Sequence, residues 1–149
     1  MRASELCGLT LDNIDMENHV IKVEKQLQCI NHKHVVTTTK TSNGVRYIPM
    51  TDGVYNCFQS VLDNRYLKGD IEPMCYDEKG NSYDGFVFLA TRSRRTIVRA
   101  HVEEYLQNCI KRYNLANPDY KWFQLNNSTL IFFDTTYFVT FYSILIHLV

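Results

Sequence analysis

Residues 19–50 hold three β-type runs separated by two turn signals, and this pattern constrains the fold more than any other feature of the chain. His19 to Ile30 alternates, with Val20, Lys22, Glu24 and Gln26 on one side and Ile21, Val23, Lys25 and Leu27 on the other. That period of two is the mark of a half-buried strand. Asn31 to Lys33 is a turn, and Val35 to Lys40 is a second run rich in Val and Thr, residues that favour pleated backbone. Asn43-Gly44 is a strong hairpin signal, and Val45 to Met50 forms the third run. The expectation is a three-stranded antiparallel meander with Lys40 near a hairpin tip and Arg46 on the returning strand.

Helical patterns flank this core. Arg2 to Gly8 reads as a short helix ended by glycine, followed by a connector from Leu9 to Asp15. Thr51-Asp52 can cap a helix running to about Leu67, whose apolar face is Val54, Phe58, Val61 and Leu62. Gly69 to Asp84 reads as a charged loop, and Phe86 to Leu89 as a short buried strand or extended segment. Ile97 to Tyr113 carries Val98, Val102, Tyr105, Leu106, Cys109 and Ile110 at helical spacing. Asn117-Pro118-Asp119 signals a linker. The fold class expected is α+β, a meander packed with helices, within one domain large enough to bury a core.

Net charge is zero, with 16 basic and 16 acidic residues, so overall charge selects no partner. The distribution is uneven. Lys25, Lys33, Lys40 and Arg46 occupy residues 25–51 without an acid, and Arg92, Arg94, Arg95 and Arg99 do the same across 92–102. Segregated basic segments can bind polyanions in a neutral protein. The five cysteines are scattered and odd in number, and the polar start is not a secretory leader, so a reduced cytoplasmic setting is expected. Cys29, His32 and His34 could supply half a zinc site, but no second ligand pair accompanies them, so no metal is expected.

Composition changes after Lys121. Trp122 to Val149 holds one charged residue, Asp134, and eight of the nineteen aromatics. Leu130 to Val149 is long enough to span a bilayer, but its Thr and Tyr content and the central Asp134 argue against a span.

Metal-free phosphodiester cleavage needs cations on the non-bridging oxygens, an in-line nucleophile and an acid for the leaving oxygen. Arginine's planar fork suits the first role and a hairpin lysine the last. Arg2 to Asp15 (Arg-Ala-Ser-Glu-Leu-Cys-Gly-Leu-Thr-Leu-Asp-Asn-Ile-Asp) resembles the first arginine motif of tyrosine recombinases, the phage-integrase family. Thr39-Lys40-Thr41-Ser42 followed by Arg46-Tyr47-Ile48-Pro49 resembles that family's catalytic hairpin. The likeness is closest to integrases of conjugative transposons and covers about residues 1–121. It implies site-specific exchange of double-stranded DNA through a 3′-phosphotyrosine link, without a cofactor, among recombinase protomers. By the same resemblance Arg2 clamps the phosphate, Lys40 is the general acid and Glu5 is a structural partner near Arg2. Arg46 supports the hairpin or touches the DNA backbone, and Thr41, Arg94, Arg95 and Arg99 are DNA-binding candidates.

The chain departs from the family downstream. No His-x-x-Arg follows Arg112, and Tyr137 and Tyr142 lack the pattern that surrounds the family's nucleophile. The chain begins one residue before Arg2, so the family's preceding segment and DNA-clamping domain are expected to be missing. Codons allowed for Thr129 to Thr135, read one base earlier, permit Pro-His-Ile-Phe-Arg-His, the absent motif in its expected place. A frameshift after residue 121 would therefore account for the tail, and the gene sequence decides it. The expected function is that of an integrase catalytic-domain fragment, inactive in strand cleavage as this chain. Two competing readings are a non-catalytic DNA-binding remnant or accessory protein and a small membrane-anchored protein. A hydrolase is not supported, since nucleophile elbow, metal cluster and phosphate loop are all lacking.

Overall fold

A computed structural model describes residues 1–38, 44–67, 73–90 and 93–116. The architecture is α+β, with antiparallel sheets and helices. Three helices are described: α1 (Ala3–Cys7), α2 (Asp52–Leu67) and α3 (Arg99–Ala116). A 3-10 turn (Leu11–Asn13) leads into β1 (Ile14–Asp15). The remaining strands are β2 (Val20–Val23), β3 (Lys25–Ile30), β4 (Lys33–Thr38), β5 (Arg46–Pro49), β6 (Cys75–Asp77) and β7 (Ser82–Tyr83).

The alternation expected over residues 19–30 holds from Val20 to Gln28, where Ile21, Val23, Lys25 and Leu27 are all buried, and ends at Cys29, which is exposed. The pairing differs from a simple meander. The long first strand divides at Glu24. Its first half pairs with β1 and β5, in the order β1-β2-β5, and its second half with β4, in the order β3-β4-β6-β7. Among the described residues, the second and third runs thus each pair with a different half of the first one and not with each other. Glu24 sits at this fork as the hub of a polar cluster. The fully buried Asn13 donates Nδ2 to Glu24 Oε1 at 2.9 Å, and the Lys22 and Lys25 ammonium groups pair with the same carboxylate. Lys25 is itself buried and lies over the Tyr83 ring, 5.7 Å from its centroid.

The β3–β4 hairpin turns on Asn31 and His32, both with positive φ (49° and 61°). Two left-handed residues in sequence fit the twist of the flanking strands. Thr51 caps α2 as expected, its hydroxyl accepting from Val54 N at 3.4 Å. Val54, Cys57 and Phe58 from this helix enter the core with Ile21, Val23, Leu27, Val36, Phe86, Val87, Phe88, Val98 and Val102. Of the expected Phe86 to Leu89 segment, Phe86, Val87 and Phe88 are buried and Leu89 is half-buried, and the segment pairs with the connector rather than a sheet. Val87 N donates to Leu9 O and Leu11 N to Gly85 O, both at 2.9 Å.

Residues 75–83 correct the expected loop. They form β6 and β7, joined by a turn in which the Asp77 carboxylate accepts from Lys79 N, Asn81 N, Asn81 Nδ2 and Tyr83 Oη. Charge in this segment reflects a tight turn, and β6 docks parallel to β4. Gly8 ends α1 as expected, but not through a left-handed turn. Its φ of −88° is right-handed, so the helix does not end on a left-handed glycine. The residue is glycine because a Cβ there would stand 2.8 Å from Gln26 Cα and 2.9 Å from Leu27 N. No helix among the described residues is long and apolar enough to cross a membrane. Residues 130–149 lie outside those described.

The Glu24 cluster makes acid stability testable. The Lys22 ammonium beside it holds the Glu24 carboxyl down at about 2. A depressed folded value means the contribution is complete above 4.5 and is lost as pH falls toward about 2. With the carboxylate 30% exposed, screening limits the effect to about 1 kcal/mol. Urea midpoints across that window should fall more for the native protein than for Glu24→Gln, and equal falls would remove Glu24 from the account.

Candidate functional site

The N-terminal end of α1 and the start of β5 meet on one buried carboxylate. Glu5, 5% exposed, stands three residues after Arg2, the spacing at which a helix residue reaches back to the backbone preceding it. Its Oε2 accepts from Arg2 N at 2.7 Å. The same carboxylate takes both terminal nitrogens of Arg46, Nη1 to Oε1 at 3.2 Å and Nη2 to Oε2 at 2.7 Å. Burial alone would push the Glu5 carboxyl up. The Arg46 guanidinium and the Arg2 N–H outweigh it and hold the group below its ordinary value.

The geometry separates the two arginines. The Arg2 side chain is exposed and has no ion pair among the described residues, so its fork is presented to solvent. Arg46 spends its fork on Glu5, with 40% of its side chain exposed. Its backbone is fixed in the β2–β5 ladder opposite Val23, which is fully buried. Ser4 Oγ adds a hydrogen bond to Gln26 Oε1 at 3.1 Å, joining α1 to β3. Gln26 and Thr37 are Cα partners on β3 and β4, so Arg2, Glu5 and Arg46 gather at the end of the sheets where β4 finishes at Thr38. Residues 39–43 follow in sequence. Lys40 and Thr41 belong to that stretch and lie outside the described residues.

The second basic segment occupies a different place. Ala90 N donates to Arg95 O and Arg94 N to Ala90 O, both at 2.8 Å, closing a loop in which Arg94 has a φ of 55°. Thr96, next in sequence, is buried, and its hydroxyl lies 2.6 Å from His34 Nδ1 and 3.6 Å from Cys75 Sγ. His34 is at the start of β4, four residues and about 13 Å along the strand from Thr38. Arg94 and Arg95 therefore do not join Arg2 and Arg46. Arg95 is exposed, whereas Arg99 pairs with Glu103 one turn along α3. Arg92 lies outside the described residues. Burial, the neighbouring His101 and Arg95 push His34 below its ordinary value. Cys29 is exposed across the ladder from His34, and among the described residues no group of three or more His, Cys, Asp or Glu is arranged to hold a metal.

The Arg46–Glu5 pair joins residues 41 apart, and sequence periodicity carries no signal for such a contact. The Arg99–Glu103 pair was open to reading from its four-residue spacing, although the basic segment was bounded at Val102.

Comparison with known proteins supplies the family. Residues 1–123 match the phage integrase family. The transposase from transposon Tn916 of Enterococcus faecalis is 31% identical over 120 residues, which is 80% of this chain and 28% of that protein. The transposase from transposon Tn1545 of Streptococcus pneumoniae matches to the same extent. The chain thus spans about 28% of the length of these curated relatives. Two structures of the Tn1549 transposon integrase align with TM-scores of 0.70 and 0.68 and identities of 30% and 32%. One holds circular intermediate DNA and the other transposon right-end DNA, and the alignments cover 87% of this chain and 39% and 37% of theirs. With residues 1–123 matching throughout and the folds agreeing at 30% identity, the chain belongs to the phage integrase family.

Proposed function

We propose that this chain is the phosphate-gripping first part of the catalytic domain of a transposon integrase, acting on double-stranded DNA. The observation that carries the reading is the contrast between two arginines: Arg2 is exposed at the start of α1, while Arg46 is committed to Glu5. Arg2 takes a non-bridging phosphate oxygen, where its charge counts most as the transition state forms. Lys40, in the stretch that links β4 to β5 in sequence, protonates the leaving 5′-oxygen. Arg94, Arg95 and Arg99, with Thr41, hold the DNA backbone elsewhere. The Tn1549 integrase structures that resemble this chain contain DNA, which supports the choice of partner. Five free cysteines support a reducing, cytoplasmic setting.

The same proposal places the end of the integrase-like part near residue 121 and derives residues 122–149 from a shifted frame. The chain then has no second arginine motif and no nucleophile in context, so it binds DNA without cutting it. Duplex affinity measured over a salt series tests the binding half. The expected result is a steep loss of affinity with salt, with Arg2→Gln lowering the log–log slope by about one. Salt-independent binding, or an Arg2→Gln slope equal to wild type, would remove Arg2 from the phosphate.

A further inference from the structure

We propose that Arg46 is a positioning residue for Arg2, acting through the Glu5 carboxylate rather than by touching DNA. The inference rests on the reading of Arg2 as the phosphate-gripping residue.

Three observations lead to it. First, α1 has five residues, far too few to hold itself in place by helix propensity. Where Arg2 leaves the backbone is therefore set by external ties, and the Glu5 carboxylate on the Arg2 N–H is the one nearest to it. Second, Glu5 is buried and its two oxygens are fixed by the Arg46 fork at 3.2 and 2.7 Å. A bidentate guanidinium sets a carboxylate's plane, which a point charge cannot do. Third, Arg46 is itself held by the sheet, opposite the fully buried Val23. The chain of restraint runs from sheet to Arg46, to Glu5, to the Arg2 backbone. For Arg46 to serve DNA instead, it would have to abandon a carboxylate that is 5% exposed, leaving a buried charge unpaired.

The test is a mutant cycle in duplex affinity, with urea melts to correct for folded fraction. Wild type, Arg2→Gln, Arg46→Gln, Arg46→Lys and the Arg2→Gln/Arg46→Gln double variant are compared. Positioning predicts that each Gln variant weakens binding about tenfold and that the double variant is no weaker than either, because coupled residues are not additive. Arg46→Lys should behave like Arg46→Gln, since lysine lacks the fork. Direct phosphate contact predicts instead that the losses multiply and that Arg46→Lys binds like wild type. A merely structural role predicts wild-type affinity of the folded Arg46→Gln fraction. Either outcome overturns the proposal. A second measurement needs no DNA. Amide exchange at Leu6, whose N–H donates to Arg2 O at 3.0 Å, and at Gly8 should quicken about tenfold in Arg46→Gln. If wild type binds no duplex, the functional reading fails on its own. Exchange then decides the anchor, and unchanged rates at Leu6 and Gly8 overturn it.

Discussion

Phe58→Ala should lower the unfolding free energy by about 4 kcal/mol, the largest loss expected from any single core truncation in this chain. Phe58 is 1% exposed and comes from the middle of α2. Its ring lies 5.8 Å from that of Phe88, tilted by 40°. Around it the core draws on elements that no local sequence contact joins: α2, the segment from Phe86 to Phe88, Val98 just before α3 and Val102 in its first turn. Alanine removes the apolar area of the ring and leaves a void whose walls belong to several elements. Such walls collapse poorly, which adds a cavity cost to the transfer cost. Against a typical domain stability of roughly 5–15 kcal/mol, this would bring the chain to the edge of unfolding. Phe58→Leu keeps most of the volume and should cost about 1.5 kcal/mol. Urea unfolding of the three proteins measures both values. A loss below that of Phe58→Leu for the alanine variant would mean that α2 does not pack on Phe88 as described.

Gly8→Ala should cost about 3 kcal/mol, a large effect for one methyl group. The backbone at Gly8 is right-handed, so alanine suffers no dihedral strain. The cost is steric. The new Cβ would meet Gln26 Cα at 2.8 Å, and Gln26 C and Leu27 N at 2.9 Å. All three are main-chain atoms of β3, which is paired along its whole length with β4 and cannot yield as a side chain would. Relief must come from α1 lifting off the sheet. That motion stretches the Ser4–Gln26 hydrogen bond and carries Arg2 and Glu5 away from Arg46. Gly8→Ala should therefore lose duplex affinity as well as stability. Urea midpoints and duplex binding read the two effects separately. A stability change within about 0.5 kcal/mol of zero would show that α1 does not approach β3 this closely.

The contrast between Gly8 and Glu24 shows where sequence reading reaches its limit. Glycine after an apolar run is correctly read as a helix end, and α1 does stop there. The reason is a close approach to a strand eighteen positions later, which helix-end statistics do not contain. Alternation from Val20 to Leu27 correctly separated two faces, and the one that carries Lys25 is buried. It could not show that hydrogen-bond partners change at Glu24, because the side-chain period runs through the fork unbroken. The Thr51 cap and the buried Phe86 to Phe88 segment were legible because each depends on neighbours in sequence. The β6–β7 hairpin was hidden because Asp77, Glu78, Lys79 and Asn81 give a loop-like composition to what is a single tight turn. For the site, Arg2 came from a motif whose strength lies in resemblance. The role of Arg46 came from geometry, since its partner lies 41 residues away.

The central claim is that the chain grips DNA phosphate without the means to cut it. A nicked suicide duplex carrying an integrase cleavage site tests both halves together, run first on a native and then on a denaturing gel. The account predicts a salt-sensitive complex on the native gel that Arg2→Gln weakens, and no species surviving denaturation. A covalent protein–DNA adduct through Tyr137 or Tyr142, or a wild-type chain that retains no duplex at low salt, would contradict it.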